Sequence, residues 1–487
     1  MKPTTKTLRA NLTIESLEDR IALSLTSATL SNGMLFLNSD NNASNVTLSL
    51  SGSNIVAYDS TNGFSRSFSA ASVQRAQFLG GAGNDRFVNN VYSLPVQAWG
   101  YGGNDYLEGY NGNDIFVGGT GNDTLVGYGG DDQMWGEAGN DVLRGMNGND
   151  QLIGGDGDDR LNGGAGTDKM WGGNGTDVLI ALDGGTSDFV QGDAGRDILW
   201  TDLNSGVRDS LAGLESGDAV QAVAWFANGA DRTLDGDRIA DPTLKAGASY
   251  RRFSGNPLFS QSGPALNDIR QGGLGDCWLL SGLGAIANDN AFALRRNVVD
   301  FDDGTYGVRL GNSFYRVDDD LAATSGGNLA YAQLGAQNSM WVAVVEKAYA
   351  FYRTGANSFA SIEGGWSVDV NKAFGSTSTG DYALGSYSSA TALANAIYAR
   401  WNSYAAVTIG FVDSRYGDTL PGGLVNNHMY TVARVTRNSA GVVTSITLRN
   451  PWGSDGYSCL DGNNDGYVTV TPSLLYALRG RVNWGAV

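Results

Sequence analysis

A nine-residue repeat constrains the first half of this chain more than any other feature. Asp105, Asp114, Asp123, Asp132, Asp141, Asp150, Asp159, Asp168 and Asp177 fall in strict register. A glycine stands two positions before each, from Gly103 to Gly175, and another five before, from Gly100 to Gly172. Two positions after each comes a large apolar residue: Leu107, Phe116, Leu125, Met134, Leu143, Leu152, Leu161, Met170 and Leu179. A flexible linker has no reason to keep such register. Glycine permits the left-handed backbone of a tight turn. The apolar residue then lies on a short strand pointing into a thin core. Carboxylates and turn carbonyls are the hard oxygen ligands that Ca²⁺ prefers. Irregular copies flank the run around Asp85, Asp188 and Asp197.

Charge points the same way. Residues 100–200 hold 18 acidic and 4 basic side chains, a net of −14 out of −18 for the whole chain. Such a segment repels itself and stays expanded until cations bind. The balance disfavours nucleic acid and anionic membrane as partners. No apolar run approaches transmembrane length. Two cysteines in 487 residues cannot make a disulfide framework. The repeat resembles the RTX nonapeptide, G-G-x-G-x-D-x-U-x, which implies a calcium-loaded parallel β-roll over residues 80–200 with the nine aspartates as metal ligands.

The rest of the chain divides around that segment. Residues 1–25 read as a polar, frayed or targeting-like start, and 13–24 resemble N-terminal segments of bacterial repeat-bearing surface proteins. Residues 26–79 alternate short apolar runs (28–30, 34–37, 46–50, 55–58) with polar turns, a set of hairpin strands capping the repeat stack. Residues 201–249 lose the period and form a linker, with 214–228 a short helix or strand pair. A different domain is expected over 250–487.

Its chemistry starts at Gln271-Gly272-Gly273-Leu274-Gly275-Asp276-Cys277-Trp278-Leu279-Leu280. Leu279, Leu280, Leu283 and Ile286 recur at helical spacing, so a helix with one buried face begins near Cys277. Unpaired N–H groups and the helix dipole favour a thiolate there. The single histidine of the chain, His428, precedes an alternating strand over 430–435. Asn450, in Asn450-Pro451-Trp452-Gly453, supplies a carboxamide that can orient the imidazole. Cys, His, Asn in that order, the second 151 positions after the first, is the papain-like pattern. Gln271 can present its amide beside the N–H of Cys277 as an oxyanion donor. Singly, each is more often a structural residue; together they describe a nucleophile, base, orienter and oxyanion donor.

The segment 268–280 resembles the active-site segment of the calpain family of cysteine proteases. The likeness extends through Tyr306-Gly307-Val308-Arg309, Val317-Asp318-Asp319, Trp341, Glu346-Lys347-Ala348-Tyr349-Ala350, Glu363-Gly364-Gly365, the histidine strand and Asn450-Pro451-Trp452-Gly453. It implies an α+β papain-like fold and endopeptidase activity on protein or peptide substrates. It gives Cys277 as nucleophile, His428 as base, Asn450 as orienter and Gln271 as oxyanion donor, with Trp452 shielding the His–Asn pair and Gly364 and Gly365 contacting substrate backbone. Two positions depart. The usual Gly-His-Ala-Tyr is Asn427-His428-Met429-Tyr430, which narrows or shifts the groove. Family cores also bind calcium through the residue matching Asp268, and a glutamate expected before the tryptophan is Ser339-Met340 here.

The expectation is therefore a multidomain protein, an all-β roll followed by a papain-like domain, acting as a calcium-dependent cysteine endopeptidase. The competing expectation is a non-catalytic calcium-binding surface or adhesion protein with an inert protease-like domain; a third is acyl transfer on the same fold. An extracellular or bacterial cell-surface location suits a calcium-loaded roll, with the cytoplasm as alternative. Asp461–Val468 begins like an EF-hand loop but has Pro472 where the bidentate glutamate belongs. Cys459 is expected to be a free thiol, and 474–478 a terminal helix.

Overall fold

The computed structural model describes residues 25–203, 208–230, 241–355, 357–455 and 463–487. The N-terminal start, the connection over 231–240, Cys459 and the first residues of the EF-hand-like loop lie outside the described residues. The chain forms two compact units, Met1–Val220 and Gln221–Val487.

In the first unit the nine-residue period becomes half a coil. Successive strands alternate between a ten-stranded and an eleven-stranded sheet, so each pair of repeats adds one strand to each. Neighbouring strands pair in parallel without register slips across the repeats, as in Thr124–Gly129 against Val142–Asn147. That register stacks Leu107, Leu125, Leu143, Leu161 and Leu179 into one inward row. Ala98, Phe116, Met134, Leu152 and Met170 form the facing row. All ten side chains are fully buried in one core. Glycine is required where coils approach each other: Gly148 has φ +142°, and an added Cβ would lie 1.8 Å from the carbonyl oxygen of Gly130. At the N-terminal end, antiparallel strands over Leu25–Ser31, Met34–Ser39, Asn45–Ser51, Asn54–Asp59 and Phe64–Ser69 join the same two sheets.

The second unit has two apolar cores. One surrounds the helices Cys277–Asp289 and Trp341–Tyr352. The other lies on a six-stranded antiparallel sheet containing Ala406–Phe411, His428–Arg437 and Val443–Arg449, covered by the helix Ala390–Trp401. The apolar spacing predicts one buried face for the Cys277 helix; instead ten of its 13 residues are buried. Small residues allow this. A Cβ on Gly282 would sit 2.8 Å from the Val370 Cβ, and one on Gly284 would sit 3.0 Å from Thr431 Oγ1. Across this seam the Ser281 hydroxyl donates to the Met429 carbonyl at 2.9 Å, and Thr431 Oγ1 donates to the Ser281 carbonyl at 2.7 Å. The 214–228 stretch yields the strand Ala219–Val223, and the terminal helix is Pro472–Ala477.

Thr431→Val keeps the side-chain shape and removes one of the two seam hydrogen bonds. It is expected to lower stability by about 1–2 kcal/mol in urea unfolding, with Ser281→Ala giving a similar loss and the double variant less than the sum.

Candidate active site and calcium-binding turns

Cys277 opens its helix, half-buried. His428 opens its strand, 6% exposed, and pairs across the sheet with Phe411. The two side chains line one cleft of about 160 Å³. Gly275, Trp278, Gly364, Gly365 and Trp366 complete one wall; Gly410, Phe411, Val412, Asn427 and Met429 complete the other. Asn427 has φ +52°, a left-handed conformation asparagine tolerates well. This accounts physically for an asparagine where the resemblance expects glycine. Met429 and Trp366 pack close against Gly410: a Cβ there would lie 2.9 Å from the Met429 Cε and from the Trp366 ring.

Asn450 sits across the sheet, fully buried, with Oδ1 2.9 Å from His428 Nε2. The backbone N–H of Trp452 donates to the same oxygen at 3.0 Å, which identifies it as the amide oxygen. An amide oxygen only accepts, so Nε2 carries the proton and the Nδ1 lone pair is left available. The Trp452 ring lies against the imidazole, centroids 4.7 Å apart. Burial pushes His428 down to about 4, opposed by the Asn450 hydrogen bond. Burial pushes the Cys277 thiol up to about 11; the backbone N–H of Met429 works against this, the charge of Asp276 adds to it, and the N–H groups of Trp278 and Cys277 at the helix start oppose it further. Burial therefore favours a neutral thiol and a neutral ring in the free protein, where the helix dipole alone favours a thiolate.

Gln271 does not line this cleft. Its Nε2 donates to the Leu274 carbonyl and, at 3.1 Å, to Asp276 Oδ1. Asp276 in turn hydrogen-bonds Glu346, whose Oε2 accepts from the Ala332 N–H at 2.9 Å. Both carboxyl groups are almost inaccessible to solvent. Two carboxyls in one hydrogen bond hold a proton between them. Burial pushes Asp276 up to about 6 and Glu346 well above the ordinary range. The sequence reading named neither as part of the site. Glu346 was visible only as the first residue of Glu346-Lys347-Ala348-Tyr349-Ala350.

Asp268 is fully buried and its carboxylate is committed to the protein. Oδ2 accepts from Ala265 N–H at 2.9 Å and Trp341 Nε1 at 2.8 Å, and Oδ1 accepts from Ala336 N–H at 2.8 Å. Those partners suit a structural carboxylate better than a cation ligand.

The repeat aspartates present a different picture. Each Oδ1 accepts a backbone N–H from one coil earlier, that of Val96 at Asp114 and that of an aspartate at the other eight, as from Asp105 to Asp123 and from Asp132 to Asp150 at 2.7–2.8 Å. Each Oδ2 is buried without a protein donor, at Asp105, Asp114, Asp123, Asp132, Asp141, Asp150, Asp159, Asp168 and Asp177, and also at Asp85, Asp188 and Asp197. Carbonyl oxygens converge beside them. A Cβ on Gly136 would meet Asp141 Oδ2 at 2.3 Å and the Gly154 carbonyl at 2.7 Å; Gly100 stands likewise between Asp105 Oδ2 and the Gly118 carbonyl. Among the described residues no three acidic, histidine or cysteine side chains cluster as a metal site. A cation here would be held by carboxylate and carbonyl oxygens together, which is Ca²⁺ chemistry. Burial pushes these carboxyls up, to about 6 at Asp123 and Asp159 and about 8 at Asp132, Asp150 and Asp177.

A half-buried thiol at a helix start, an imidazole held by an amide oxygen and one cleft lined by both are the arrangement of a cysteine-protease type of domain. Residues 248–462 match the calpain family of cysteine proteases. Four segments, 97–116, 108–143, 144–179 and 182–204, match the RTX calcium-binding nonapeptide repeat. The chain thus carries a calpain-family cysteine protease domain behind a parallel β-roll of RTX repeats. Calpain-A of Drosophila melanogaster is 28% identical over 216 residues, and the mouse calpain-1 catalytic subunit 30% over 210. Each alignment covers 41% of this chain, but only 26% and 29% of the relative, so the chain spans under a third of the relatives it matches. Among the described residues no helix is long and apolar enough to cross a membrane.

Two outcomes follow from the charges. Alkylation of Cys277 by iodoacetamide is expected to rise about tenfold per pH unit from 7 to 9; a plateau across pH 5–8 would instead indicate a preformed ion pair. For the roll, raised carboxyl values mean that folding without cation is favoured in acid. That stability is fully present below about 4, the unfolded value. It is lost as pH climbs through 6–8, the folded values. In chelator the melting temperature of the roll should fall over this window, and saturating Ca²⁺ should remove the fall.

Proposed function

We propose that the protein is a cysteine endopeptidase whose roll is held folded by Ca²⁺. The observation that carries this reading is the only imidazole of the chain, bonded through Nε2 to a buried amide oxygen and facing the same cleft as Cys277. Cys277 loses its proton to His428 Nδ1 as its sulfur bonds the peptide carbonyl carbon. His428 then returns that proton to the leaving amine as the C–N bond breaks. Water, deprotonated by His428, opens the thioester and regenerates the thiol. The Cys277 N–H at the helix start serves the oxyanion. Gln271 joins it by exchanging the Leu274 carbonyl for the substrate oxygen. Gly364, with φ +67° and open space where a side chain would stand, leaves room for an extended substrate backbone.

Ca²⁺ is assigned to the orphan carboxylate oxygens of the nine repeat aspartates, with turn carbonyls as co-ligands. Bound there it neutralises charge that burial otherwise penalises. Calcium dependence of the enzyme would then run through the roll, because Asp268 is committed to N–H donors. An extracellular or cell-surface setting supplies the ion.

A thiol-reactive peptide probe tests the peptidase reading. Covalent capture should vanish in Cys277→Ala, and peptide hydrolysis should fall at least a thousandfold in Cys277→Ala and His428→Ala. Asn450→Ala should retain capture with a lower rate. No capture by the wild-type protein, with or without Ca²⁺, would instead support an inert domain on a calcium-binding surface protein. Gly145→Ala, whose Cβ would lie 2.2 Å from Asp150 Oδ2 and 2.5 Å from the Gly163 carbonyl, should lower the calcium stoichiometry in titration calorimetry.

A further inference from the structure

The outer face of the ten-stranded sheet carries an aromatic row that the proposed reaction does not use. Trp99, Trp135 and Trp171 lie on the strands Val96–Gly102, Gln133–Ala138 and Lys169–Gly175. The intervening strands put Val117 and Ile153 in the same register row, giving Trp99, Val117, Trp135, Ile153, Trp171. All five are half-buried, whereas their inward neighbours are fully buried. Strands about 4.8 Å apart place successive tryptophans about 9.6 Å apart, and the three span about 19 Å. A second outward row, two residues earlier on each strand, reads Gln97, Ile115, Gln133, Gln151, Lys169. The side-chain amides of Gln97, Gln133 and Gln151 bond no other described residue.

Charge narrows the partner. Of these ten residues only Lys169 is charged, on a segment with 18 acidic and 4 basic side chains over 100–200. Most carboxylates sit at the turns, and Glu137 and Asp156 lie toward the ends of these strands, so an anion is repelled by the rims, and a cation finds its partners there rather than on the tryptophan row. What suits the strip is a neutral, extended, amphipathic chain. A pyranose with equatorial hydroxyls has C–H groups on its faces and hydroxyls around its rim. Its face stacks on an indole while its rim reaches side-chain amides. In an extended β-linked chain every second sugar presents the same face, and the disaccharide length is close to two strand spacings.

We propose that this face binds a neutral, extended β-linked hexopyranose polymer, with Trp99, Trp135 and Trp171 stacking on alternate sugars and the glutamine row bonding their hydroxyls. A roll stiffened by its turns holds the three rings at fixed spacing, so the ligand meets a preorganised platform. The assignment depends on the roll alone and is independent of the peptidase reading.

The test uses the full chain in Ca²⁺, co-sedimented with insoluble β-1,4-glucan and with chitin, and with amylose and alginate as comparators. Retention is expected on one or both β-linked polymers and not on the coiled α-linked or anionic one. Trp135→Ala should weaken it about tenfold, and the triple variant W99A/W135A/W171A should abolish it with melting temperature and probe labelling unchanged. If the triple variant misfolds, the single variants W99A and W171A, read by tryptophan fluorescence against a soluble β-1,4 hexasaccharide, give the same decision. Unaltered retention after these substitutions, or no retention on either β-linked polymer, overturns the proposal. So does preferential binding to alginate. A dimer seen by light scattering and dissolved by Trp135→Ala, without glycan retention, would assign the face to a second copy of the chain.

Discussion

The cleft depends on one seam, the close approach of the helix Cys277–Asp289 to the strand His428–Arg437. Ser281 bonds the strand twice: its hydroxyl donates to the Met429 carbonyl, and its own carbonyl accepts from the Thr431 hydroxyl. Ser281 lies four residues, about one helical turn, beyond Cys277. Thr431 lies three residues beyond His428. Whatever holds the second pair therefore holds the first. Glycine at 282 and 284 lets the helix lie this close, because a side chain at either position would meet Val370 or Thr431. The thiol and the imidazole come from segments 151 residues apart, and these contacts bring them to one place.

Burial at that place has two electrostatic consequences. It favours the neutral thiol and the neutral ring in the free protein over a thiolate–imidazolium pair. It also makes Asp276, the residue before Cys277, hold a proton between its carboxyl and that of Glu346. A second full negative charge there would oppose thiolate formation. The shared proton limits that charge, and the Asp276 carboxylate still holds the Gln271 amide.

The roll faces the same problem on a larger scale. Its aspartates are drawn into turns where one oxygen completes a backbone ladder and the other is left without a donor. The ladder sets the register of the coils, while the unpaired oxygens repel one another. A thin core of single leucine, methionine and phenylalanine rows offers limited apolar burial per coil. Stability of this unit consequently depends on what occupies the turns.

Much of this was legible in the residues. The period of nine, with apolar residues and glycines repeating in step, marked a stack of similar turns, while the strand pairing shows each repeat to be half a coil. The expected cap hairpins fall near the observed strands. Cys277, His428 and Asn450 stood out because the chain has one histidine and one thiol at a glycine-rich helix start. Other features were not legible. The helix reads as having one buried face, yet glycine and alanine on its back let it be buried almost all round. Gln271 reads as an oxyanion donor, while its amide bonds Leu274 and Asp276. Glu346 lies 70 residues from Asp276, and nothing in either segment announces that their carboxyls meet. The spacing of 36 between Trp99, Trp135 and Trp171 was present in the letters, but only the sheet register makes it a row.

By itself the sequence determined which chemical groups exist and, through strict periodicity, the local geometry of the roll. Repeats constrain neighbours that are close along the chain, and there pattern and structure are nearly the same thing. The tertiary structure alone decided which distant groups meet, which way the Gln271 amide points, and which carboxyls are starved of donors. Those outcomes depend on close packing and on the removal of water, and neither is a property of any single stretch of chain.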